Sequence, residues 1–245
     1  MLSNFVGNYA AVLKQPGALR FSLTGLVARL PISMVTLGIV LLVSARTGSY
    51  AAAGRVSAAY VIANALAAVP QGRLMDRLGQ RRVFGIGSMV FALGLGTLIY
   101  AVLHGWSAPW PHLAAILTGL AQPIIGSGVR ARWQHLLDDP DHLQTAFAFE
   151  AVSDELVFML GPTLVTFLAT LVHPAAGLLT ALAVGLVGGL ALAAQRSTEP
   201  LCARRARPRR TRADAMGSLA APHTWRRLSW DLVRSNRSRH RRVCR

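Results

Sequence analysis

Thiols are missing from most of this chain: both cysteines, Cys202 and Cys244, lie near its carboxyl end. A disulfide framework and any cysteine-based metal or redox site are thereby excluded from residues 1–201. Lysine is nearly absent as well, with Lys14 alone against 25 arginines. The first twenty residues have no charged stretch followed by an apolar one, so no cleavable signal peptide is read there. Charge of either sign is thin along the body. Residues 1–195 hold eleven Lys+Arg and seven Asp+Glu, a net of +4, whereas residues 196–245 hold fifteen and three, a net of +12. With 53% apolar residues and a mean hydropathy of +0.41, the body is too hydrophobic for an ordinary soluble domain of this size. The chain is two materials joined end to end, a membrane body and a basic tail.

What is abundant is long apolar runs. Six of them, 21–43, 52–70, 83–103, 112–129, 147–171 and 175–194, are near the ~20 residues a helix needs to cross ~30 Å of hydrocarbon. In a bilayer core no water satisfies the backbone, so each run is expected to be helical. Before them, Leu2, Phe5, Tyr9, Val12 and Leu13 recur at three- and four-residue spacing until Pro16-Gly17. Residues 1–20 therefore read as an amphipathic segment on the cytoplasmic surface. Lys14, Arg20, the arginines of 72–82, Arg130 and Arg132 collect on one side and Arg46 and Arg55 on the other, so both termini are expected in the cytoplasm of a multi-pass plasma-membrane protein. Trp106 and Trp110 fall in a short uncharged outer connection, where an interfacial aromatic belt belongs. Glycines recur through the third, fourth and sixth spans, which suits close helix packing.

The polar stretch between the second and third runs, Gly72-Arg73-Leu74-Met75-Asp76-Arg77-Leu78-Gly79-Gln80-Arg81-Arg82, reads as a basic loop with four arginines and one aspartate. It resembles the signature G-x-L-x-D-R-x-G-R-R between the second and third helices of the major facilitator superfamily. Gly72, Leu74, Asp76, Arg77, Gly79 and Arg81 match in order, while Gln80 stands where a basic residue is usual. The resemblance implies an all-α polytopic membrane protein built like the amino-terminal six-helix half of such a transporter, with this loop helping to hold one of the alternating states.

Four charges lie where hydrocarbon should exclude them. Arg29 is eight residues into the first run, and Glu150, Asp154 and Glu155 are three to eight residues into the fifth. An ionisable group at that depth costs at least ~2.5 kcal/mol on insertion scales, so it faces protein or an aqueous cavity and finds a partner. Arg29 and Asp154 sit at nearly equal depth, roughly 11–12 Å past the starts of their runs. The expectation is a pair between Arg29 and Asp154 or Glu155, either static or with one acid acting as a proton-coupling site. Further along the fifth run, Gly161-Pro162 is similar to the core of the superfamily's antiporter signature, although Val157, Val165 and Thr166 replace its other glycines. A plain proline kink accounts for Gly161-Pro162 equally well. In the fourth run Gln122 occupies the place of the family's buried arginine, either facing substrate or bonding another helix, and Arg130 and Arg132 read as cytoplasmic anchors.

Arg204 to Arg212 contains six arginines in nine residues, and no apolar run of spanning length follows. The domain reading is 1–20 cytoplasmic segment, 21–195 transmembrane domain and 196–245 disordered Arg-rich tail. Three accounts of the tail compete: attraction to anionic lipid, nucleic-acid binding by charge, and out-of-frame translation of a GC-rich truncated gene. The last is favoured, and nucleic acid is not expected without aromatic interleaving or a recognisable module. The resemblance implies transport of a small molecule, proton-coupled and outward, by alternating access. A homodimer or a missing second half would then be required, and no cofactor is expected. Two rivals remain: a membrane scaffold with a basic tail, and an intramembrane serine protease built on Ser127. The second fails its own pattern, because Ile125 replaces the glycine of G-x-S-G and the sixth run holds no histidine.

Overall fold

The computed structural model describes residues 12–199. Leu2, Phe5 and Tyr9, and the arginine-rich stretch from residue 200 on, lie outside the described residues. Among those described there are seven helices of at least twelve residues and no strand: α1 Ala18–Thr47, α2 Tyr50–Leu78, α3 Gln80–Leu103, α4 Trp110–Ala121, α5 Ile125–Leu136, α6 Pro140–Leu171 and α7 Ala176–Ala194. With α4 and α5 counted as one broken rod, six are long and apolar enough to cross a membrane. Local chemistry sets the ends. Gly48 (φ 67°) closes α1 by donating its N–H to Ser44 O, and the Ser49 hydroxyl accepts from Ala52 N at 3.2 Å to start α2. Asp139 starts α6 by accepting from His142 N at 3.3 Å, with Pro140 in the first turn.

Two boundaries differ from the hydropathy reading. The stretch Gly72–Arg82 is not a loop: α2 continues to Leu78, α3 begins at Gln80, and the connection is Gly79 alone. Helices outlast their apolar windows because at the membrane edge water and side chains, rather than hydrocarbon, bear the polar face. Gly79 has φ 87° and ψ 154°, a backbone region essentially reserved for glycine. Conversely, the fourth run is interrupted at Gln122-Pro123-Ile124. Pro123 has no N–H and pushes the preceding residue out of the helical region, and Gln122 sits at φ −56°, ψ 113°.

The first span packs against the fifth and sixth, α4 packs against the second and third, and α3 meets α7. Each three-span group thus lends its first helix to the last two of the other, the packing of an inverted repeat. The short connection after α6 makes α6 and α7 neighbours, but α7 lies mainly on α1 and α3. Close approach depends on glycine where backbone meets backbone. A Cβ on Gly188 would stand 2.8 Å from the backbone of Ala28, and one on Gly119 would strike the Tyr60 carbonyl. Two apolar clusters result. One, in the half holding Arg46, is built on Met34, Ile39, Tyr60, Phe91, Leu98 and Leu178. The other, in the arginine-rich half, gathers Phe21, Phe84, Val129 and Leu192 around Trp133, with Phe21 and Trp133 edge to face at 4.7 Å. Val12, placed by sequence on a surface helix, is buried in this second cluster. Trp106 and Trp110 remain exposed at the opposite end, 6.1 Å apart.

Candidate functional site

The deep charges form an alternating chain where α1, α5 and α6 meet. Arg29 Nη2 lies 2.6 Å from Glu150 Oε2, and Arg29 Nη1 is 3.1 Å from Asp154 Oδ1. Arg130 Nη2 then reaches Asp154 Oδ2 at 2.9 Å. Glu150 Oε1 accepts from Trp133 Nε1 at 2.8 Å and from Ser22 Oγ at 3.2 Å. Exposure rises along the chain, from 2% at Glu150 and 5% at Arg29 to 31% at Asp154 and 47% at Arg130. Two basic and two acidic side chains sum to zero formal charge, the condition under which such a group can be buried. One end is sealed by an indole and the other is open.

The sequence paired Arg29 with Asp154 or Glu155; the structure gives it Glu150 and Asp154, while Glu155 is exposed. Helical phase is the reason. Glu150 and Asp154 are four apart and share a face, whereas residue 155 is turned ~100° from residue 154. Glu150 is the most enclosed member of the chain, at 2% exposure. The Arg29–Glu150 contact is ionic rather than an aligned hydrogen bond, and Arg29 Nε is buried without a partner, facing Gly126.

Arg132, expected as a surface anchor, is completely buried. Its Nε donates to Gln80 Oε1 at 2.9 Å, Nη2 to Leu192 O at 3.0 Å, and Nη1 to Thr198 Oγ1 at 3.1 Å and Gln195 O at 3.3 Å. The guanidinium therefore satisfies carbonyls at the end of α7, where a cation also suits the helix dipole. Gln80 completes the joint by donating Nε2 to Gly128 O at 3.0 Å. So the position that departs from the signature carries a neutral side chain able both to accept from Arg132 and to donate to α5. Glu199 Oε1 accepts from Arg81 N at 2.9 Å in the first turn of α3.

Gln122 is buried at the break between α4 and α5, with the Tyr60 hydroxyl 3.5 Å from its Oε1, a long and weak contact. Sequence reasoning missed the residue that makes the break tenable. Gln71 Nε2 donates to Leu120 O at 2.8 Å and to Gln122 O at 3.0 Å, two carbonyls at the interruption. A proline inside a spanning segment was the available signal, because it demands a donor on a neighbouring helix.

A family model of the Major Facilitator Superfamily matches residues 21–239. The chain belongs to this superfamily. No curated protein and no solved structure matches it. The match runs from the first span through the arginine-rich segment at Arg204 to Arg212. Superfamily members are transporters of small solutes, and the six spans fit the amino-terminal half of their fold. In this major facilitator chain the signature residues Gly72, Leu74, Asp76, Arg77 and Arg81 are carried on helix ends, with Gly79 as the turn. Asp76, Arg77 and Arg81 are exposed. Gly161 lies where α6 meets α1, with Ser33 Oγ in the space a Cβ would take, and Pro162 sits within the continuous α6. Ser127 donates its hydroxyl to Ile124 O at 3.1 Å in the first turn of α5, a local contact at a helix start.

Proposed function

We propose that this major facilitator chain moves a small molecule outward across the plasma membrane in exchange for protons, with Asp154 as the group that takes and releases the proton. The alternating chain Glu150–Arg29–Asp154–Arg130 carries this reading, because a proton reaching its one accessible acid, Asp154, breaks the charge balance. Protonating Asp154 removes one of two carboxylates and leaves Arg29 and Arg130 facing each other across a neutral group. Arg29 keeps Glu150 as its partner, whereas Arg130 loses the one acid it pairs with among the described residues. The contact that protonation releases ties α5 to α6, so the proton acts on the packing of these two helices. Glu150, held by Ser22 and Trp133, keeps Arg29 in place while Asp154 titrates. Alternating access rocks one six-helix unit against another. The second unit is a second copy of this chain or a separate six-helix half, and both termini face the cytoplasm.

Proteoliposomes containing the full chain, loaded with a pH-sensitive dye and offered a panel of small fluorescent solutes, test the proposal. Solute-dependent proton movement is expected in wild type and in Glu155→Gln, and is lost in Asp154→Asn. Proton movement undiminished in Asp154→Asn would sink the coupling assignment, and solute flux indifferent to a protonophore would sink antiport.

A further inference from the structure

In the arginine-rich half, α2, α3 and α4 part to leave an open groove of about 280 Å³. Its walls are aliphatic, with Leu78 on α2, Ile86 and Val90 on α3 and Leu120 on α4. Arg82 closes the end at the helix turn. The polar side chain in the wall, Gln71, is committed to the carbonyls of Leu120 and Gln122. From Arg82 to Val90 the groove extends roughly 12 Å along α3, close to the ~15 Å of hydrocarbon in one leaflet. A cation at one end of an apolar trough of that length matches the shape and polarity of a single lipid.

Charge selects the lipid. Arg73, Arg77, Arg81 and Arg82 are all exposed, and among the described residues none forms an ion pair with an acid. Asp76 lies in the same stretch and Glu199 reaches Arg81 N, so four arginines face two acids and the turn carries an excess of two positive charges beside the mouth. We infer that the groove binds one anionic phospholipid, its phosphate on the Arg82 guanidinium and one acyl chain along Ile86 and Leu120. Basic pockets between spanning helices hold anionic head groups in this way, and an arginine in direct contact with the head group contributes enough to change occupancy about 5-fold. The inference depends on the bilayer setting and not on proton coupling, so a failed transport assay leaves it standing.

The test is native mass spectrometry of the full chain equilibrated in detergent with equal amounts of dioleoylphosphatidylglycerol and dioleoylphosphatidylcholine. One phosphatidylglycerol should be retained in preference to phosphatidylcholine. Arg82→Ala should lower its retention about 5-fold. Ile86→Trp, which fills the trough from an exposed position, should abolish it, while Arg73→Ala on the far side of α2 should leave it unchanged. Leu120→Trp fills the same trough from α4 and replaces Ile86→Trp if that variant elutes as an aggregate. Equal retention of the two lipids overturns the inference. So does retention that survives the groove-filling variants, or that falls equally in Arg73→Ala and Arg82→Ala, since the binding would then be general attraction to basic surface.

Discussion

Replacing Arg29 by methionine keeps most of the side-chain volume and removes the charge that faces Glu150. Glu150 is then a carboxylate at 2% exposure whose remaining partners are Ser22 Oγ and Trp133 Nε1. Removing one partner of a buried ion pair costs about 3–5 kcal/mol, and the two surviving hydrogen bonds put this case near 3. Asp154 adds little to the loss, because it retains Arg130 and is 31% exposed. Glu150→Gln is milder, at about 1–2 kcal/mol: the amide oxygen still accepts from Trp133, and Arg29 still has Asp154. The double variant Arg29→Met/Glu150→Gln removes both charges together. It should lose about 1–2 kcal/mol rather than the summed ~4–5, a coupling of about 3 kcal/mol. Unfolding of the purified chain by sodium dodecyl sulfate in mixed micelles, followed by helical circular dichroism, gives all four corners of the cycle. Additivity to within ~0.5 kcal/mol would refute the argument, because the two side chains would then be held by their other contacts and not by each other.

Arg132→Met strands carbonyls at the end of α7 and should lower stability by about 2–4 kcal/mol in the same assay. Arg132→Lys should restore only part of this, since an ammonium cannot span Gln80, Leu192 and Gln195 together. Gly188→Ala drives a methyl against the backbone of Ala28 and should cost about 1–3 kcal/mol, whereas Gly96→Ala, whose added Cβ would be 3.5 Å from Leu182, should stay within ~0.5 kcal/mol. Gly79→Ala forces a methyl-bearing residue into the turn conformation and should lose about 1–3 kcal/mol. Single cysteines at Arg77 and Trp106, in a background with Cys202→Ser and Cys244→Ser, should react with an impermeant maleimide from opposite sides of sealed vesicles; labelling from the same side would overturn the topology.

The six spans were legible because hydropathy over ~20 residues reports the one property a bilayer selects. Their ends were not: the polar residues from Gly72 to Arg82 look like a loop to a hydropathy window, yet the hydrogen-bond ladder of α2 runs through them to Leu78. Arg29 was recognised as needing a partner from depth alone. Choosing Glu150 over Glu155 required helical phase as well as depth, and the four-residue spacing of Glu150 and Asp154 held that information. Arg132 was misread because an arginine near the end of a span commonly anchors at the interface. Its partners, Gln80 and the end of α7, lie more than fifty residues away on either side, a distance no local pattern bridges. The role of Gln80 was hidden for the same reason, showing in the sequence only as a departure from a signature.

With Gly79 as the whole connection, α2 and α3 meet at a one-residue elbow, so a push on the Asp76 arm acts next to Gln80, the first residue past the bend. Through Arg132 the same push arrives at the end of α7 on the other side of the bundle. Torque applied at the surface of the arginine-rich end therefore has a short, hard-linked route to the sixth span, with hydrogen bonds rather than soft apolar contact at every joint past the elbow.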